Sequence, residues 1–167
     1  SSSTCLLRLL TRSFSSRFPL HPSSTCVHTR YHNAFHAVDV MQSVVMMVSV
    51  SNASQVVAAL DVFAVLLASL GHDLAHPGVT AAFLVQTRHE LAMTYNDTSV
   101  LENMHTARLF GILKEQASNV LAALPESDWR DLRKTVVASV LATDMVHHFK
   151  MVSDVEVFCE MNEAALQ

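Results

Sequence analysis

Glycine and proline are scarce: three and four residues among 167. A turn-rich β fold draws heavily on both, so their scarcity beside abundant Ala, Leu, Val and Met favours helices. Cysteine is scarce too. Cys5, Cys26 and Cys159 are odd in number and form no C-x-x-C pair. That excludes a secreted disulfide scaffold and points to a reducing, cytoplasmic compartment. Charged residues make up only 16% of the chain and apolar residues 50%, which excludes a disordered chain and requires a large buried fraction. The longest stretch without charge runs between Asp39 and Asp61, yet it holds Gln42, Ser43, Ser49, Ser51, Asn52 and Gln55. It is too polar for the bilayer core, so a buried helix pair is expected and a membrane span is not.

Acid is missing altogether from residues 1–30, which carry Arg8, Arg12, Arg17 and Arg30. With a net charge of −4 overall, the remainder carries a net −8, and an acidic globular part argues against nucleic acid as a partner. The Ser-, Thr- and Arg-rich opening has the composition of a linker and also of an organelle transit peptide. Residues 1–30 are therefore expected to be irregular, and residues 31–167 to form the globular part.

From Tyr31 onward the apolar spacing is helical. It predicts an all-α helical bundle, with helices near 33–50, 53–75, 80–92, 98–115 and 127–150. Ser51-Asn52 supplies a turn, and Pro77-Gly78 should terminate the second long helix. Ser99 with Glu102 reads as a capping box, and Ser127 as the start of the last helix, with Asp131 suiting its dipole.

Ten histidines are the first sign of metal or proton chemistry. His32 and His36 are four apart, as are His72 and His76, with Asp73 between. One such pair alone is more often a helix surface or a satisfied core group. Two pairs with an aspartate ending a very apolar run favour a shared cation, because a buried carboxylate needs a partner. Imidazole with carboxylate suits Zn²⁺, Fe or Mn²⁺, and carboxylate with water suits Mg²⁺. His32, His36, His72, Asp73 and His76 should then converge in one cleft. Glu102 and His105 share a helical face and could support that centre from outside it. Asp144, His147 and His148 read as a solvated face, and Met145 with the other methionines as core.

Four longer strings resemble the class I 3′,5′-cyclic-nucleotide phosphodiesterases. They are Tyr31-His32-Asn33-Ala34-Phe35-His36-Ala37-Val38-Asp39-Val40, His72-Asp73-Leu74-Ala75-His76-Pro77-Gly78, Tyr95 through His105 (Y-N-D-T-S-V-L-E-N-M-H), and Leu141 through Phe149 (L-A-T-D-M-V-H-H-F). The resemblance implies a phosphodiesterase-like HD-type helical fold and metal-dependent hydrolysis of cAMP or cGMP to the 5′-monophosphate. It implies two divalent ions, Zn²⁺ with Mg²⁺ or Mn²⁺. His32 would be the proton donor to O3′; His36, His72 and Asp73 would be metal ligands, with Asp73 reaching both ions. His76, Glu102 and His105 would surround them, while Tyr31 and Met145 would face the substrate.

Ala75 stands where the family commonly has an acid, and Ala81 or Ala82 where it has an asparagine. In that family the domain continues through further helices bearing a fourth metal-ligating aspartate and a base-gripping glutamine, so the chain is expected to lack the C-terminal helices. Asp144 does not correspond to that aspartate. The alternatives are an inactive relative that acts by pairing with another chain, as in a homodimer, and an HD-type phosphohydrolase of another nucleotide.

Overall fold

A computed structural model describes residues 31–116 and 118–162. The expected irregularity of residues 1–30 lies outside them. Helix α1 spans Ala34–Val50, α2 Ala59–Gly71, α3 Ala81–Gln86, α4 Glu90–Thr94, α5 Val100–Lys114, α6 Glu126–Leu141 and α7 His148–Met161. Single 3₁₀ turns lie at Ala53–Gln55 and Met145–His147, and no strand occurs among the described residues. The class is all-α, as composition and periodicity predict.

Helix α2 is the centre of the packing and lies against both α1 and α6. Its Ala64, Leu67 and Ala68, at helical spacing, share one core with Leu109, Ile112 and Leu113 of α5 and Leu132, Val136 and Val140 of α6. Leu109, Leu132, Val136 and Val140 are wholly buried, and each such side chain contributes about 1.5–3 kcal/mol by leaving water. Gly71 closes α2 where α5 comes nearest: a Cβ there would lie 2.7 Å from Leu109 Cδ2. A smaller core of Leu84, Ala92, Val100, Leu101 and Met104 joins α3, α4 and α5.

Helix boundaries depart from the periodicity in four places, each with a local cause. Helix α2 begins at Ala59 rather than near 53, because Asn52 turns left-handed (φ 53°) and opens a 3₁₀ turn. It ends at Gly71, ahead of Pro77: 3₁₀-type bonds from Leu74 N to Gly71 O and from His76 N to Asp73 O replace the helical ladder, and Ala75 adopts φ 61°. The 80–92 segment divides at Arg88 (φ 53°), after which His89 Nδ1 accepts from Leu91 N to start α4. The 127–150 segment breaks after Leu141, where Thr143 Oγ1 donates to Val140 O and Asp144 Oδ1 accepts from Val146 N to open the next turn.

The capping box at Ser99 does not form. Ser99 is the N-cap of α5 at φ 38°, but its side chain makes no cap hydrogen bond.

Candidate metal centre

The site is made where two helix ends meet. Asn33 caps α1, its Oδ1 accepting from Phe35 N and His36 N at 2.9 and 3.3 Å, so His36 enters in the first turn while His32 precedes the helix. His72 caps the far end of α2, and Asp73 and His76 follow in the turn. Neither histidine pair lies on one continuous helical face as its four-residue spacing suggested. The pairs meet through loops, and His32, His36, His72, Asp73 and His76 do converge.

Asp73 is the hub. His36 Nε2 lies 3.2 Å and His72 Nε2 3.1 Å from the same oxygen, Oδ2. His105 Nε2 lies 3.8 Å from Oδ1. Backbone carbonyls assign two of these rings: His72 Nδ1 donates to Ser69 O at 2.9 Å, and His105 Nδ1 to Leu74 O at 2.7 Å. In each neutral ring the Nε2 lone pair then faces a carboxylate oxygen. Two lone pairs aimed at one another repel unless a proton or a cation lies between them. A borderline divalent ion takes this N, N, O set, and the ligand atoms of His36, His72 and Asp73 all lie within 4.8 Å of one another.

A second trio, His32, Asp73 and His76, meets the same distance limit, but its chemistry differs. His76 Nδ1 accepts from Gly78 N at 3.0 Å, so the neutral ring carries its proton on Nε2 and presents a donor. Its ring stacks on His32 with centroids 3.9 Å apart and an 8° interplanar angle. Tyr31 packs beside both histidines of the first pair, 5.1 Å from the His32 ring and 4.7 Å from that of His36.

Burial and charge set the protonation states. Burial alone would raise the Asp73 carboxyl, but the hydrogen bond and charge of His72, with the charges of His105 and His32, hold it down at about 2. His72 moves up: burial opposes its charge, and Asp73 together with the Ser69 carbonyl outweighs burial. Burial, then the neighbouring His32 charge, lowers His76. His105 is almost wholly buried and falls to about 4, mainly through burial. Glu102 is raised by burial first, then by the charges of Asp144 and Asp73. Its Oε2 is buried and makes no hydrogen bond among the described residues.

His72, Asp73 and Glu102 line a cavity of about 370 Å³ whose other lining includes Val40, Val44, Val65, Ala68, Ser139 and Thr143. Met145, expected against the substrate, is 66% exposed and is not among those residues. Ser69 O and Leu74 O, which orient the imidazoles, are backbone groups and carry no signal in residue identity. Asp144 is not merely solvated, because its Oδ2 accepts from Ser99 Oγ at 2.8 Å.

The family model for 3′5′-cyclic nucleotide phosphodiesterase matches residues 31–166. The 3′,5′-cyclic-nucleotide phosphodiesterase regA of Dictyostelium discoideum is 45% identical over 123 residues, 74% of this chain and 16% of that protein. The phosphodiesterase domain of the Salpingoeca rosetta rhodopsin phosphodiesterase superposes with a TM-score of 0.81 at 32% identity, covering 94% of this chain and 44% of that one. A second structure of the phosphodiesterase domain, from the RhoPDE fusion protein of the same choanoflagellate, gives 0.80 at 34% identity, with 93% and 46% covered. The chain thus spans less than half of the solved domains it resembles and about a sixth of the curated relative.

Proposed function

Since the chain belongs to the 3′5′-cyclic nucleotide phosphodiesterase family, we propose that it supplies the ligand and proton-donor residues of a site that hydrolyses cAMP or cGMP to the 5′-monophosphate. The observation that carries this reading is the convergence of His36 Nε2 and His72 Nε2 on one oxygen of Asp73. The residues fit a divalent cation: the donor set is right, and the buried, unpartnered Glu102 Oε2 can accept from water held by such an ion. His36, His72 and Asp73 would hold Zn²⁺, and Asp73 would also serve a second ion, Mg²⁺ or Mn²⁺. Bound there, the ions would lower the pKa of water and neutralise phosphoryl charge.

The protein's own groups do the rest. As a water oxygen bonds to phosphorus and the P–O3′ bond breaks, the departing O3′ takes a proton from His32 acting as general acid. The proton released by the water restores His32 through solvent. Stacking against His76 and the edge of Tyr31 hold the His32 ring. His76 Nε2–H and the neutral His105 add no positive charge that would compete with a cation. His105 instead holds the turn that follows Asp73, by donating to the Leu74 carbonyl. A substrate role for Met145 would require the Met145–His147 turn to approach the cavity from where it now lies exposed.

Metal content and turnover, measured on the same variants of the full-length protein, test the reading. His36→Ala and Asp73→Ala should lose bound Zn²⁺ and hydrolysis of both cyclic nucleotides. His32→Ala should retain the metal and lose rate by about 10²–10⁴-fold, the usual contribution of a general acid. Unchanged turnover in His32→Ala, or full Zn²⁺ in Asp73→Ala, would reject the assignment.

A further inference from the structure

Ser99 is an N-cap that does not cap. Its backbone sits at φ 38°, ψ 53°, a left-handed conformation that costs a non-glycine residue roughly 1–2 kcal/mol. Its hydroxyl, free of the helix end, donates to Asp144 Oδ2 at 2.8 Å across 45 residues of sequence. The other oxygen of Asp144 accepts from Val146 N at 3.0 Å, so one carboxylate fastens the start of α5 to the Met145–His147 turn. Backbone strain of this kind persists only where surrounding contacts enforce it.

What the fastening positions is Glu102, in the first turn of α5. Glu102 lines the cavity with His72 and Asp73, and its Oε2 is buried with no hydrogen bond among the described residues. A buried acceptor left unmade is costly, and Glu102 stands only three residues beyond the Ser99 fastening, in the first turn of α5.

We propose that Ser99 and Asp144 are a positioning pair that keeps Glu102 facing the His36–His72–Asp73 site, where it receives the water shell of a divalent cation. The inference rests on the metal reading above and extends it to two residues outside the ligand set. Neither touches the ion; both act through Glu102. The left-handed backbone of Ser99 separates this role from a structural one. Glycine at 99 relieves the strain but deletes the donor. Asparagine tolerates the left-handed region and returns a donor through its side-chain amide.

Mn²⁺ binding to the chain, followed by the loss of the free-ion electron paramagnetic resonance signal, reads the effect without turnover. Ser99→Gly should bind Mn²⁺ about tenfold more weakly, within the range seen when outer partners of a metal site are removed. Its thermal midpoint should equal or exceed that of the unaltered chain. Ser99→Asn should recover affinity to within about threefold, on the same scale. Full affinity in Ser99→Gly, or a loss that asparagine does not restore, would overturn the pair's role. Mn²⁺ binding that survives Asp73→Ala would instead refute the metal reading itself, and the pair with it.

Discussion

Replacing His105 by asparagine should remove a specific block of acid sensitivity from the fold. His105 is 1% exposed, and burial lowers it from an ordinary 6.5 to about 4. With a folded-state value below the unfolded one, the unfolded chain takes up the proton first. Stability from this residue is therefore complete above about pH 6.5 and is lost as pH falls toward 4. At 1.36 kcal/mol per unit, the full loss approaches about 3 kcal/mol, with about 2 kcal/mol of it gone by pH 5. Asparagine can keep the donor to the Leu74 carbonyl, now at 2.7 Å, while removing the titration. The assay is urea unfolding with a chelator present, for both chains, at pH 8, 6.5 and 5. The unaltered chain should lose about 2 kcal/mol more than His105→Asn between pH 8 and 5. Parallel losses in the two chains would show that His105 does not carry this acid sensitivity, and the burial argument would fail.

Three other outcomes are expected. Gly71→Ala should destabilise the chain by about 1–3 kcal/mol, the usual cost of overpacking, because the added methyl would meet Leu109 at 2.7 Å; thermal melting checks it. Ala75→Gly should raise stability by about 1 kcal/mol, since φ 61° penalises any Cβ, and a lowered urea midpoint would contradict it. Zn²⁺ affinity should fall between pH 7.5 and 5.5, because His72, whose pKa is raised, must lose its proton to ligate. Competition with a chelating dye measures this, and a flat profile would argue against His72 as a ligand.

The sequence makes the core of α2 and the content of the site legible, for different reasons. Ala64, Leu67 and Ala68 show a helical period because one face must be buried. The histidines and Asp73 stand out because so apolar a segment has little other use for them. Their geometry was less readable. The i, i+4 spacing implied shared helical faces, yet His32 precedes the Asn33 cap and His76 follows the end of α2, so tertiary packing of two loops makes the contacts. The helix breaks at Arg88 and Ala75 require left-handed backbone at residues with no intrinsic preference for it, which local propensity cannot announce. The Ser99–Glu102 pattern is a true capping signal in isolation. The left-handed backbone of Ser99 takes it out of the extended conformation a capping residue uses, and its hydroxyl points instead to Asp144, distant in sequence. Imidazole tautomers were likewise hidden, being set by the Ser69 and Leu74 carbonyls.

X-ray absorption at the zinc edge of the Zn²⁺-loaded chain tests the metal centre most directly. The proposed site requires two imidazole ligands with Zn–N distances of about 2.0–2.1 Å and oxygen completing the shell, reduced to one imidazole in His36→Ala. A spectrum without imidazole scattering, or one unchanged in His36→Ala, would contradict the assignment of His36, His72 and Asp73 as the site.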